Sequence, residues 1–206
     1  AANPPASLGD FMEETSSFSN IMFISPTTIN NLVDPTPLDA VRRAKSLGFK
    51  VILGTPGDFF YHDGSRWALH PDWQTRFTNY RTQYNLDQIM KEPNVFAVYF
   101  MDEPDGNGVT KSEQETVIQA LHTTYPGSKV MATYQGTGWL RQNGIPNGLD
   151  IISFDNYGHQ RREDYDRWFV QGDLDWIIQN SNLLIILTAE AFDGNFVPFP
   201  EQQSWY

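Results

Sequence analysis

An apolar run, Val95-Phe96-Ala97-Val98-Tyr99-Phe100-Met101, ends on Asp102-Glu103-Pro104. Adjacent carboxylates at the end of a buried strand are costly unless they face a polar cavity, because unpaired buried charge is expelled or shifts its pKa. Pro104 disfavours the helical region for the residue before it, so Glu103 is expected to be extended, which would fix where its side chain points. Other apolar runs stop on polar groups as well: Asp58 after the run over 49–55, Asp155 and Tyr157 after 149–154, and Glu190 after 183–189. Alternation places Ser153, Asp155 and Tyr157 on one face, and Thr188 and Glu190 on one face. In a closed barrel the runs ending at Glu103 and Glu190 lie on opposite sides of the mouth, so their carboxylates face each other across a bound substrate. Two facing carboxylates suit glycosidic cleavage, one donating a proton to the leaving oxygen and the other attacking or stabilising the oxocarbenium-like carbon. Burial and mutual repulsion would hold such a pair in different protonation states near neutral pH.

Each of these residues also has a structural reading. Asp102 and Glu103 could form a salt bridge or cap a helix, Glu190 could pair with an arginine at the rim, and Asp155 could orient Tyr157. Aromatic residues crowd the loop after 49–55 (Phe59, Phe60, Tyr61, Trp67), and Trp139 follows the run over 129–134. Sugar rings stack on such faces, which makes Trp67 and Trp139 candidate substrate contacts together with Asp58, Asp102, Asp155 and Tyr157. Other chemistries find less support. His62, His70, His122 and His159 lack metal-ligand spacing, so no metal and no cofactor is expected. The absence of a Gly-x-Ser-x-Gly elbow removes the usual serine hydrolase, and without a glycine-rich phosphate loop a nucleotide site has no cradle.

The elements that position these residues alternate between short apolar strands and helices, the pattern of an α/β fold with a parallel sheet. Strands are predicted over 7–12 (weakly), 20–25, 49–55, 95–101, 129–134, 149–154 and 183–189. One helix starts at Thr36 as N-cap with Pro37 in first position and stops at Gly48. A second is predicted over 72–91, where Trp73, Phe77, Tyr80 and Tyr84 make one aromatic stripe. Asp105-Gly106-Asn107-Gly108 reads as a turn, and Thr110 with Glu113 as a capping box. A helical stretch interrupted at Gly172 precedes the run over 183–189. Strands apolar on both faces fit a (β/α) barrel of the TIM type, covered by helices outside and packed inside. Seven strands are recognisable where such a barrel has eight, so the barrel is incomplete: either the chain has been cut short or the barrel closes in a reduced way. One domain over 1–206 is expected.

Taken together, Asp102-Glu103-Pro104 and Phe154-Asp155-Asn156-Tyr157-Gly158 resemble the (β/α)8-barrel glycoside hydrolases that carry an acid/base glutamate after the fourth strand and a nucleophile after the seventh. The resemblance runs from about Ser7 to Phe192. It implies Glu103 as acid/base, Glu190 as nucleophile and a retaining mechanism on a poly- or oligosaccharide. The chain departs from the family at Asp102, where asparagine is common, and in lacking an eighth strand. A second reading is a non-catalytic carbohydrate-binding or structural barrel within a larger assembly.

The formal net charge of −11 argues against nucleic-acid or acidic-membrane partners, which need clustered Lys and Arg. With no cysteine there are no disulfides and no thiolate sites. No apolar run approaches the roughly 20 residues that span a bilayer, so no membrane insertion is expected. The start Ala1-Ala2-Asn3-Pro4-Pro5 leans the reading toward a cleaved signal and an extracellular or cell-surface protein. Oligomeric state is left open.

Overall fold

The computed structural model describes residues 12–13, 15–17, 19–26, 36–55, 59–156 and 172–189. Its frame is a six-stranded parallel sheet built from β1 (Ile21–Ile24), β2 (Lys50–Gly54), β5 (Val95–Asp102), β6 (Lys129–Tyr134), β7 (Ile151–Asn156) and β8 (Leu184–Ala189). Spatial order follows chain order, and every neighbouring pair is parallel, so all the C-terminal ends open on the same side. The sheet is curled into an incomplete (β/α) barrel of the TIM type. Between β2 and β5 a second, two-stranded antiparallel sheet is inserted, made of β3 (Phe60–His62) and β4 (Trp67–Leu69).

Local chemistry explains the helices. In α1 (Pro37–Ser46) the Thr36 hydroxyl accepts from the Asp39 N–H at 3.1 Å, and Gly48 leaves the helix at φ +85°. The stripe expected over 72–91 forms, but as two helices, α2 (Trp73–Gln83) and α3 (Leu86–Ile89). They separate at Asn85, whose φ of 53° is a left-handed conformation that asparagine tolerates better than most residues. Helix α4 (Lys111–Thr124) carries the complete capping box between Thr110 and Glu113. Short helices α5 (Gly138–Asn143) and α6 (Asp175–Asn180) precede β7 and β8.

The two-sided strands divide the core into two layers. Val51, Leu53, Val98, Phe100, Val130, Ala132, Ile152 and Phe154 face outward into the main core, where the apolar stripes of α1 to α4 meet them. Ile52, Ala97, Met131 and Ile151 form a smaller cluster on the inner face, with Ile21, Phe96, Tyr99 and Ile186 beside it. Full burial of a Leu or Phe side chain contributes about 1.5–3 kcal/mol, so the outer layer dominates stability. Two expectations are corrected. Met12, the last residue of the weak strand expected over 7–12, lies in a helical segment, and 7–11 fall outside the described residues. The segment from Phe60 to Leu69 is a hairpin and not a loop. Among the described residues no helix is long and apolar enough to cross a membrane.

Candidate functional site

Strand β5 delivers the Asp102-Glu103 pair to the open end of the sheet through an irregularity. Its pairing with β6 shifts between Tyr99 and Met101: Tyr99 stands opposite Met131, yet Asp102 stands opposite Thr133. Phe100 and Met101 therefore both turn toward the outer core, while Tyr99 and Asp102 share the inner face. Such a bulge re-aims the side chains that follow it. The Tyr99 hydroxyl donates to Asp102 Oδ1 at 2.5 Å. Burial, and then the hydrogen bond to the Asp102 carboxylate, push the Tyr99 phenol well above its usual range, so it stays a donor at any physiological pH. Thr133 and Asp155 face the same space, the first hydrogen-bonded to Tyr99 and the second acting on it through its charge.

Glu103 is not in the extended conformation expected of the residue before Pro104; it follows in a backbone conformation that L residues avoid. Its φ is 43°, and only Asn85 shares a positive φ among the described non-glycine residues. Three bonds enforce it: Glu103 N–H donates to Thr133 O at 2.9 Å, Asn107 N–H donates to Glu103 O at 2.9 Å, and Gln135 Nε2 donates to Glu103 Oε2 at 2.9 Å. Next to it, the Asp105 carboxylate accepts the Gln135 N–H at 3.3 Å, and burial raises its pKa. The loop that follows is the expected turn, with Gly108 at φ +74°. At Gly106 a Cβ would meet the Gln135 side-chain amide, which would have to shift from the place where it holds Glu103.

A cavity of about 280 Å³ opens beside this strand end, lined among others by Thr55, Phe60, Trp67, Tyr99, Asp102 and Asn107. The β3–β4 hairpin supplies Phe60 and Trp67. Its turn is tied by Asp63, whose Oδ1 accepts the backbone N–H groups of Ser65 at 2.8 Å and Arg66 at 3.0 Å. Arg66 then reaches α4, donating to Glu113 through its two terminal guanidinium nitrogens at 2.7 and 3.0 Å.

The structure thus brings two expected site residues, Asp102 and Trp67, onto one cavity, with Glu103 next to Asp102 at the same strand end and Asp155 on β7, beyond the intervening β6. Trp139, in the helix that follows β6, does not line this cavity; it is half-buried against the main core, 6.3 Å from the Tyr134 ring. Asp58, Tyr157 and Glu190 lie outside the described residues, so the facing pair of Glu103 and Glu190 is not among the arrangements seen. Sequence reasoning missed Tyr99, Asn107, Thr133 and Gln135. It also missed the hairpin, although Asp63-Gly64 between Phe60-Tyr61 and Trp67-Ala68 is a recognisable hairpin signal. Among the described residues no group of three His, Asp or Glu is arranged to hold a metal ion.

No family model and no curated protein matches the chain. Solved structures do. A D-psicose 3-epimerase from Clostridium cellulolyticum H10, with D-tagatose, aligns at a TM-score of 0.52 and 10% identity over 98% of this chain and 85% of that one. A D-psicose 3-epimerase in the presence of D-fructose aligns at 0.50 and 10% identity, over 92% of this chain and 82% of that one. At this identity the likeness establishes the fold.

These neighbours correct the glycosidase expectation. Both of these structures are sugar epimerases, and neither is a glycoside hydrolase. The physical reason is that a carboxylate after a barrel strand belongs to the architecture of the mouth, which hosts many reactions. Asp-Glu-Pro at this position therefore does not single out glycosidic cleavage.

Proposed function

We propose that the open end of the sheet binds a small sugar and moves a proton on it, in an isomerase- or epimerase-type reaction with Glu103 as the proton-transfer group. One observation carries the reading: Glu103 is held at φ 43° by three hydrogen bonds at the mouth of the barrel. A strained residue of this kind persists only where the surroundings over-determine it, and such strain clusters at functional sites. Sugar-acting structures with the same fold support the class of ligand.

In such a reaction the carboxylate removes the proton next to a ketose carbonyl, and the C–H electron pair moves into an enediolate. Return of a proton to either face of that planar intermediate regenerates the sugar or its epimer, with no net gain or loss of electrons. Asp102, held by the Tyr99 hydroxyl, accepts sugar O–H groups, while the Gln135 amide holds the Glu103 carboxylate in place. The test is to incubate the protein with D-fructose, D-psicose or D-tagatose in deuterated water and follow the proton beside the carbonyl by NMR. Solvent deuterium is expected to enter that carbon and to stop entering it in Glu103→Gln. Sugar binding without exchange would remove the catalytic role of Glu103.

A further inference from the structure

Glu103 is held by Gln135, and Gln135 is an exposed residue on the loop that leaves β6. An amide on a mobile loop would fix nothing, so the loop itself has to be held. We infer that Asp173, just before α6, is a positioning residue for the Glu103 carboxylate and acts on it through this loop, with Asp105 as its counterpart on the other side. Asp173 bonds to the β6 loop and does not line the mouth cavity. The inference rests on the proposed proton transfer at Glu103.

Gln135, Gly136 and Thr137 link β6 to α5, and two carboxylates from different neighbours grip their backbone. From the β5 loop, both Asp105 oxygens accept the Gln135 N–H at 3.3 Å. From the segment before α6, Asp173 Oδ1 accepts the Thr137 N–H at 3.0 Å and the Thr137 hydroxyl as well. Thr137 is 1% exposed, so neither of its donors can turn to water if that carboxylate is lost. Hydrogen bonds to an ionised acceptor are also the stronger class.

Arg141, on α5, fixes the segment that carries Asp173. Its Nε donates to the Thr137 hydroxyl oxygen at 2.8 Å, and its Nη2 donates to Gly172 O at 2.8 Å. Its guanidinium also lies over the Trp176 ring of α6, 5.2 Å from the centroid. Asp173 is therefore flanked on both sides by residues fastened to α5.

Close approach at two glycines tightens the same arrangement. A Cβ at Gly136 would stand 3.0 Å from Asp173 Oδ2, and a Cβ at Gly106 would meet the Gln135 amide. The Gln135 side chain thus leaves a backbone held at both ends and finishes on Glu103 Oε2 at 2.9 Å. The path from Asp173 through Thr137 and Gln135 to Glu103 is a continuous run of bonds, the kind of network through which a distant group sets a catalytic one. Placement matters steeply for proton transfer, since a shift of about 1 Å costs on the order of 100-fold in rate.

Two measurements on Asp173→Ala, Asp173→Asn, Gln135→Ala and the double variant Asp173→Ala/Gln135→Ala test this. The first needs no sugar: NMR follows exchange of the Gln135 side-chain amide protons with water. Exchange should be at least about tenfold faster in Asp173→Ala than in the wild type. It should stay near the wild-type rate in Asp173→Asn, whose Oδ1 still accepts both Thr137 donors. The second is deuterium entry into the same three ketoses. Its maximal rate should fall at least about tenfold in Asp173→Ala, with the half-saturating sugar concentration within about twofold of wild type. Asp173→Asn should restore most of that rate, and the double variant should be no slower than Gln135→Ala alone. Wild-type exchange of the Gln135 amide in Asp173→Ala, or independent losses that multiply in the double variant, would overturn the inference. The two proposals fail separately. A Gln135 amide that responds to Asp173 in a protein without deuterium entry removes the proton transfer and leaves the positioning of the carboxylate. Deuterium entry with an unresponsive amide removes the positioning role alone. If Asp173→Ala does not fold, Gly136→Ala replaces it under the same criteria, because it adds one methyl group beside Asp173 Oδ2 and removes no bond.

Discussion

Glu103 is a residue whose conformation works against the chain's own preference. A non-glycine L residue in the left-handed region sacrifices about 1–2 kcal/mol, and glutamate has no short polar side chain to recover it locally. Asparagine is several-fold enriched in that region, so Glu103→Asn should be at least as stable as the wild type in urea denaturation, within ~0.5 kcal/mol or above it. The same variant should lose deuterium exchange. A loss of stability greater than ~1 kcal/mol would instead make the Glu103 side chain a structural tie to Gln135. Its neighbour Asp102 behaves differently, since its partner Tyr99 is kept protonated by burial and always offers a hydrogen.

At the level of elements the hairpin is the distinctive insertion, and one carboxylate connects it to the frame. Burial alone would raise the Glu113 pKa. Hydrogen bonds from Arg66, from the Thr110 hydroxyl and from the Leu69 and Thr110 N–H groups outweigh that and lower it from 4.5 to about 2. A carboxyl depressed on folding adds stability that is complete above its unfolded value and is lost as pH falls through the folded one. The contribution should therefore be intact above pH 4.5 and disappear toward pH 2. Glu113→Gln should flatten that stretch of the stability profile, by an amount of order 1 kcal/mol once solvent screening is allowed for. Equilibrium unfolding at a series of acid pH values measures it. An unchanged profile would mean that other carboxylates govern the acid limb.

For the molecule as a whole, the curled sheet has a rich outer layer and a sparse inner one. Leu53, 1% exposed, packs outward into the main core, whereas Phe23, 51% exposed, stands on the inner face with its ring edge-on to Tyr99 at 5.3 Å. Leu53→Ala should cost about 2–5 kcal/mol because the surrounding helices cannot close the space. Phe23→Ala should cost less than ~1 kcal/mol, as little water-excluded area is lost. Urea titrations of the two variants compare the layers directly, and equal losses would mean that the inner face is packed as tightly as the outer.

The sequence by itself determined the frame. Apolar runs of strand length, helices with Thr36-Pro37 and Thr110-Glu113 at their starts, and the aromatic stripe from Trp73 to Tyr84 are local patterns, set by backbone sterics and side-chain period. They sufficed for an incomplete parallel barrel, and for Asp102, Glu103 and Trp67 as site candidates. Chemistry was not local in this sense, because carboxylates at strand ends serve many reactions, and the glycosidase expectation rested on two short motifs. Only the tertiary structure decided which side chains share a space. The shift in pairing between Tyr99 and Met101 turns Asp102 inward beside Tyr99, against simple alternation. Trp139 is half-buried against the main core beside Tyr134, away from the Asp102 cavity. Strand register and helix packing depend on residues far apart in the chain, and no local period encodes them.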